Sequence, residues 1–497
     1  MLNNLDPKTA SGPDGITARF LKEEAKEVAP ILSVIFQKSL DTGEVPSQWK
    51  HANVTPIFKK GDRHKPANYR PVSLTSIVCK LLEHIISKSI MNHLEENNIL
   101  NDSQHGFRPK RSCEAPLIGY IQDLASNLSV GKQIDTAVMD FSKAFDKVSH
   151  ARLIYKLGWY GIRGSALAWI KEFLAGRTQK VVLDGEESPP SPVISGVPQG
   201  SVLGPILFLV FINDLPDSIK STVRLFADDT IAYRVVASNE DCARLQKDLD
   251  EMVEWERRWG MEFNPDKCEI LRVTRRKSPI SFPYSLKGHT LNVAPSTKYL
   301  GVEIQSGLQW NNHINTIANK ANRTLGFIKR NIQTSSLASR ELAYKALVRP
   351  SMAYCSSIWD PYTADLKGKL ERVQRRAARY VCNRYHNTSS VSNMLQDLGW
   401  ESLEERRAKS RLILMFKITH HLVTIPTYYL VPAYSTTRAS HIYKYQQIFT
   451  RTQFYQYSFF PRTIREWNKL PASVVEAPNL LAFKQALNGV PAAMYLP

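Results

Sequence analysis

Between Val223 and Tyr233 the chain reads as a β-strand, VRLFA and then TIAY, broken in its middle by two adjacent carboxylates, Asp228 and Asp229. A pair of ionised groups cannot continue a buried strand. The run is therefore expected to fold back on itself, with both acids at the crest of a hairpin. Asp tolerates turn conformations, so such a pair taken alone is ordinary turn chemistry. A second strand-like run, Thr136 to Phe141, changes that reading, because its apolar stretch TAVM ends on a third acid, Asp140. Carboxylates gathered at strand ends form a hard, oxygen-rich environment suited to Mg²⁺, which keeps waters and fills its shell with substrate phosphates. Two such ions about 4 Å apart can stabilise the attacking and leaving oxygens of an in-line phosphoryl displacement.

The surrounding chain alternates strands with helices, which points to an α+β domain. SGPDG at 11–15 is a turn cluster, and Ile31, Leu32, Ile35 and Phe36 follow at helical spacing, with Pro30 expected in the first turn. A helix is expected over 239–258, where Leu245, Leu249, Met252 and Val253 share a face. Ser238 with Asp241 resembles a capping box, and Gly260 is a natural stop. PILFLVFIND, from Pro205, reads as a buried helix. Beyond residue 305 the pattern is mostly helical. Ile314, Ile317, Ala321, Leu325 and Ile328 make one stripe, and Leu366, Leu370, Val373, Ala377, Tyr380 and Val381 make another. Opposite that second stripe lie Lys367, Lys369, Arg372, Arg375, Arg376 and Arg379, a basic face suited to a phosphate backbone.

Charge divides the chain. The 497 residues carry 65 Lys+Arg and 46 Asp+Glu, a formal +19, which favours a polyanionic partner. Residues 1–305 hold 39 basic and 36 acidic residues, only +3; the other 192 hold 26 and 10, or +16. From Arg406 to Arg465 no Asp or Glu occurs, and aromatic residues from Tyr428 to Phe460, Tyr434 among them, interleave with bases. Aromatic rings in a positive groove stack single-stranded bases, so RNA contact is expected there. No apolar run approaches the roughly 20 residues of a membrane-crossing helix, and MLNNLDPKTASGPDG has no signal-peptide apolar core. Six cysteines stand without a CxxC pair, which points to neither a disulfide framework nor a zinc ribbon. A reduced, intracellular protein is expected.

The order MDFSKAFDKV (139–148), SGVPQGSVLGP (195–205), FADDT (226–230) and KYLGVEI (298–304) resembles the catalytic core of a reverse transcriptase of the non-LTR (LINE-type) retrotransposon family. Upstream, SGPDGI (11–16), NYRPVSL (68–74) and QHGFRPKRS (104–112) resemble that family's fingers motifs. The resemblance implies a right-hand polymerase, with fingers and palm over 1–305, a helical thumb over 306–400 and an additional basic, aromatic-rich C-terminal region over 401–497. It makes Asp140 and Asp228 the metal-bridging carboxylates and Asp229 the third acid, holding two Mg²⁺ ions for which Mn²⁺ can substitute. Asp146 is expected to cap the following helix rather than to bind metal. Phe145 takes the place of a ring beneath the incoming sugar, which would exclude a 2′-hydroxyl. Gln199 and Gly200 approach nucleotide and template; Lys59 and Arg70, with Lys60 as an alternative, hold the triphosphate. Lys267 of NPDKCEIL matches a lysine that protonates pyrophosphate. Arg108, Arg372, Arg375, Arg376 and Arg379 are the expected nucleic-acid contacts.

The implied activity is RNA-directed DNA polymerisation, with an RNA template, a DNA primer in nicked genomic DNA and deoxynucleoside triphosphates, in the nucleus at the integration step. The chain starts almost at its first polymerase motif, so an endonuclease is expected from elsewhere. No zinc knuckle accompanies Cys382 and His386, and no ribonuclease H set of acids is evident. The rival readings are a catalytically inert, nucleic-acid-binding remnant of such an element and an RNA-dependent RNA polymerase. Intact acids weigh against the first, and Phe145 with the fingers motifs against the second.

Overall fold

The structure is a computed structural model that describes residues 1–333, 336–425, 428–433 and 441–496. Two sheets organise the first 305 residues. The first contains β1 (His51–Phe58), β2 (Tyr69–Leu74) and β4 (Thr178–Leu183), with β1 antiparallel to β2 and parallel to β4, and two two-residue strands, Glu186–Glu187 and Ser191–Pro192, paired antiparallel to β4. The central sheet comprises β3 (Gln133–Met139), β5 (Thr222–Phe226), β6 (Asp229–Val236), β7 (Glu269–Val273) and β8 (Asn292–Ala294), in the spatial order β8-β7-β3-β6-β5. β3 is central and antiparallel to both neighbours, β6 and β7.

Both faces of the central sheet are buried, which explains why its strands are apolar on both sides. Ala137, Met139, Ala232 and Ile270 enter one core, shared with the helices α2 (Ile77–Glu96), α4 (Leu203–Ile212) and α5 (Asn239–Trp259). Every residue of α4 is buried except Pro205, so its uniformly apolar run has only an interior to occupy. The buried carboxylate of Glu83 accepts the N–H groups of Val202 and Leu203, at 2.7 and 3.0 Å, and so closes the N-terminus of α4. α5 carries the expected capping box at Ser238 and Asp241 and stops on Gly260, at φ +71. In α1 (Ala25–Thr42) the structure departs from the sequence reading. The helix begins five residues before Pro30. Pro30 and Lys26 both face solvent, so water can serve the Lys26 carbonyl that the proline leaves without a donor.

The other face, through Ile134, Ile231, Tyr233 and Leu271, packs on α3 (Glu114–Ser129) and on the helices that follow residue 305. These include α6 (Asn311–Asn331), α7 (Ala364–Cys382), α8 (Leu403–Thr419) and α9 (Phe459–Trp467). The two stripes read from the sequence are the buried faces of α6 and α7, with Ile317 only partly covered. This core runs without a break from Ala115 to Tyr495.

Among its described residues, part of the acid-free segment is internal. Tyr455, Phe459 and Phe460 are buried, Tyr429 donates to Asp123 of α3, and Gln122 donates to the Tyr455 hydroxyl at 3.1 Å. Tyr428 and Phe449 remain exposed, and Tyr434 lies outside the described residues. The expected row of stacking rings is thus mostly a packed core, because rings spaced along an irregular chain are gathered by folding rather than by sequence order. Part of the positive charge is internal too. Asp360 accepts from Arg407 at 2.5 Å and from Arg411, and pairs with Arg462 at 3.1 Å. Glu466 accepts two bonds from Arg411, at 2.8 Å each, and one from Arg462 at 3.1 Å. Burial pushes the Arg407 and Arg411 guanidiniums down to about 10.

Three guanidiniums on two carboxylates make Asp360 the member least able to be lost. Asp360→Asn is expected to destabilise the protein by about 3–5 kcal/mol, since it strands buried positive charge. Arg407→Met, which leaves two cations on two acids, should cost clearly less. Urea unfolding midpoints of the two variants check the order.

Candidate active site

The site is set by strand register. Met139 pairs with Thr230 across β3 and β6, and Val138 with Glu269 across β3 and β7. Continuing the β3–β6 ladder one step past Met139 brings Asp140 level with Asp229, whereas on the other side the pairing ends at Glu269, residues Pro265–Lys267 form a 3-10 turn, and the Asp140 carbonyl accepts from Asn264 N–H at 2.8 Å. The Lys267 ammonium donates to Asp140 Oδ2 at 3.0 Å. The hairpin is present but its crest lies one residue earlier than read: Phe226 pairs with Asp229, so Ala227 and Asp228 form the two-residue turn and Asp229 is the first residue of β6, because the turn takes only two residues. Ala227 takes a left-handed conformation, φ +55, which an L-residue with a Cβ adopts only at a cost.

A neighbouring segment holds that turn. His105 N–H donates to Leu225 O and Leu225 N–H to Ser103 O, both at 2.8 Å, so residues 103–105 lie beside β5 like a further strand. Gln104 Oε1 accepts the Ala227 N–H at 2.9 Å and the Gly106 N–H at 2.8 Å. A Cβ on Gly106 would lie 2.4 Å from Ala227 N, so only glycine permits this approach. Gln104 and Gly106 were recognisable as parts of QHGFRPKRS, but nothing local assigns them to a turn some 120 residues away.

Electrostatics sets the three acids apart. Burial, then the charges of Asp228 and Asp140, pushes the Asp229 carboxyl up to about 6, although the residue keeps contact with solvent. The Asp228 carboxyl is also raised, by burial and by Asp140, while Arg70 and Lys59 pull it back. Among the described residues, no three His, Cys, Asp or Glu side chains are arranged to enclose a metal ion by themselves. The donor set nevertheless fits a hard divalent cation. It is made of carboxylate oxygens only, its acids repel one another, and its open side leaves room for waters and phosphate oxygens.

The cations felt at Asp228 come from the β1–β2 hairpin. Lys59 directly follows β1, and its N–H donates to Asn68 O at 2.9 Å; Arg70 pairs with Ile57 within the ladder. Lys59, Lys60 and Arg70 are all exposed. Arg70 Nε donates to Gln199 Oε1 at 3.4 Å, and Ser73 N–H donates to Gln199 O at 2.7 Å. Gly200, at φ +130, lies so close to β2 that a Cβ would be 2.3 Å from Ser73 O. Phe145 stacks on Phe208 of α4, with centroids 4.5 Å apart, and meets the edge of Phe107. Asp146 does not cap the next helix (His150–Trp159), whose first-turn N–H groups donate to no capping side chain. Its carboxylate accepts instead from Gln199 Nε2 at 2.9 Å.

The expected nucleic-acid contacts separate into two groups. Arg108 is buried: it makes a two-pronged ion pair with Glu95, at 2.8 and 2.9 Å, and donates to the Asn101 carbonyl at 2.9 Å. It is therefore a strut for the 101–108 segment rather than a contact on the surface. Arg372, Arg375 and Arg376 are exposed on α7 and Arg379 is half-buried there; Arg376 donates to Asn322 of α6 at 3.1 Å. Lys367 and Lys369 are partly neutralised by Glu404 and Asp365.

Residues 57–304, which contain all three acids, Lys267 and the hairpin cations, belong to the reverse transcriptase (RNA-dependent DNA polymerase) family. Similar reverse transcriptases include those of non-LTR retrotransposons. The chain is 28% identical over 430 residues to the probable RNA-directed DNA polymerase from transposon BS of Drosophila melanogaster, covering 82% of this chain and 46% of that one. It is 27% identical over 396 residues to the RNA-directed DNA polymerase from mobile element jockey of the same organism, covering 77% and 43%. The chain thus spans about half the length of the curated relatives it matches. A solved structure of apo telomerase from Candida tropicalis, truncated from its C-terminal domain, aligns at 11% identity with a TM-score of 0.38, over 60% of this chain and 62% of that one.

His105 gives the turn support a pH signature. Burial, then the charges of Arg111, Arg224 and Arg108, pushes its imidazole down to about 3, and its Nδ1 has no hydrogen-bond partner. The unfolded chain takes up a proton near pH 6.5 and the folded one does not, so this contribution to stability is complete above 6.5 and is lost as pH falls toward 3. His105→Gln should lose less stability than the parent between pH 7 and pH 5, as read from urea midpoints at the two values.

Proposed function

We propose that the chain is an RNA-directed DNA polymerase of the non-LTR retrotransposon type, extending a DNA primer on an RNA template. In this reading residues 1–305 are fingers and palm of a right-hand polymerase, 306–400 the helical thumb, and 401–497 a basic region packed against both. The observation that supports it is the meeting of Asp140, at the end of β3, with Asp229 across the β3–β6 ladder and with Lys267 by a 3.0 Å hydrogen bond, with Asp228 at the adjoining turn, where the charges of Arg70 and Lys59 draw its raised carboxyl back down. When bound, two Mg²⁺ ions on Asp140, Asp228 and Asp229, or Mn²⁺ in their place, would supply charge stabilisation to the attacking and leaving oxygens.

The primer 3′-hydroxyl attacks the α-phosphate of the incoming deoxynucleoside triphosphate. The new O–P bond forms as the bond to the β-phosphate breaks, and pyrophosphate leaves. Arg70 and Lys59 hold the triphosphate, the first as a fork and the second as a point charge. Lys267 supplies a proton to the departing pyrophosphate, and positioning with preorganised charge accounts for most of the acceleration. Phe145, fixed by its stack on Phe208, presents a rigid ring where a 2′-hydroxyl would stand. Arg372, Arg375, Arg376 and Arg379 of α7 track the template–primer backbone. Priming in nicked genomic DNA would bring the protein to the nucleus, with the nick made by an endonuclease.

Primer extension on an RNA template, with dNTPs or with NTPs, tests the reading. The parent should extend with dNTPs and Asp229→Ala should lose nearly all activity. Extension that survives Asp229→Ala contradicts the assignment of the acids, and a folded parent with no extension is the inert remnant. In the same assay Phe145→Ala should raise ribonucleotide incorporation; unchanged discrimination removes the gate from Phe145.

A further inference from the structure

Gln199 is held from two directions. Its backbone carbonyl accepts from Ser73 of β2 at 2.7 Å, while its side chain lies between Asp146, which accepts from Nε2 at 2.9 Å, and Arg70, whose Nε donates to Oε1 at 3.4 Å. A primary amide has a donor end and an acceptor end of almost equal shape, so packing alone does not choose between its two orientations. The partners here do choose. An ionised carboxylate only accepts and a guanidinium only donates.

We infer that Asp146 is a positioning residue, which fixes the Gln199 amide with its oxygen toward Arg70 and thereby holds Arg70 ready for the triphosphate. The inference rests on the polymerase reading above and adds a residue to it. Without Asp146 the amide is free to turn over and oppose its NH₂ to a guanidinium, donor against donor.

The backbone stations Asp146 for this task. Its N–H donates to Lys143 O at 3.0 Å, and its own carbonyl accepts from Ser195 Oγ at 2.9 Å. Gly196 N–H donates to Val148 O and Val197 N–H to Phe145 O, both at 2.8 Å, so residues 145–148 and 196–197 are laced together. Gly196 lies so near that a Cβ on it would stand 2.7 to 2.9 Å from the Asp146 backbone. Asp146 is thus tied to the segment that carries Asp140, and Arg70 to the β1–β2 hairpin. Among the described residues Gln199 is the only side chain bonded to both, so the relay conveys the palm's geometry to the triphosphate-holding arm.

The test is steady-state primer extension by the full chain, with the dNTP concentration varied. Asp146→Leu should raise KM for dNTP about tenfold, the scale of one lost hydrogen bond to a charged group, with kcat changed less than about twofold. Asp146→Asn keeps an acceptor and should stay within about twofold of the parent. Adding Asp146→Leu to Arg70→Ala should raise KM no further than Arg70→Ala alone. An unchanged KM in Asp146→Leu, a loss carried by kcat alone, independent multiplication of the two effects, or an Asp146→Asn as poor as Asp146→Leu each overturns the relay. Asp146→Ala carries the same comparison should Asp146→Leu not fold. A readout without polymerisation separates this inference from the polymerase reading. Thermal midpoints of Asp146→Ala, Gln199→Ala and the double variant should show the double no less stable than the worse single. Additive losses overturn the relay even in a chain that extends no primer.

Discussion

The register of β3 against its two neighbours is the constraint on which the rest depends. Side chains alternate across a strand, so slipping the β3–β6 ladder by one residue would send Asp140 to the opposite face from Asp229. What prevents a slip is burial on both sides: Ile134 belongs to one core and Ala137 with Met139 to the other. No residue of the strand can move without putting side chains into a core shaped for others and burying Asp135 among groups that do not match it. In its present place Asp135 accepts from Tyr284, Arg272 and Gln133. Fixing the level of the three acids therefore falls to packing, while the acids themselves work against stability through mutual repulsion.

The second constraint is close backbone contact. Gly106 lets the 103–106 segment reach the Ala227 turn, Gly196 lets the 195–199 loop reach Asp146, and Gly200 lets it reach β2. Each contact ties the carboxylate level to a different part of the chain, and each would be blocked by a single methyl group. The site is thus a crossing of three loops held by backbone, and its side chains need only short reaches. That arrangement suits a proposed polymerase centre, in which small misplacements of phosphate-holding groups cost much of the rate.

Features encoded locally were legible in the sequence. The Asp228–Asp229 hairpin, the capping box of α5, the interior helix α4 and the apolar stripes of α6 and α7 all follow from periodicity and turn chemistry within about 20 residues. Features decided by distant partners were not. Arg108 sits among exposed-looking neighbours, RPKR, yet folds inward onto Glu95; Asp146 looks like a helix cap but is claimed by Gln199, 53 positions away. The +16 of residues 306–497 could not reveal that Arg407, Arg411 and Arg462 neutralise two acids in the interior. Nor could the interleaved aromatics reveal that most of them pack against α3 and α8, since a ring in a core and a ring beneath a base have the same sequence signature.

In the proposed polymerase, Asp140, Asp228 and Asp229 act together as a divalent-cation centre that forms around the nucleotide. Counting bound Mn²⁺ by electron paramagnetic resonance tests it most directly, using the full chain with an RNA–DNA template–primer and a non-hydrolysable dNTP analogue. The account predicts about two tightly bound ions per chain in the complete complex, fewer without the nucleotide, and loss of both in Asp228→Asn. Equal Mn²⁺ binding with and without the nucleotide, or binding untouched by Asp228→Asn, would contradict it.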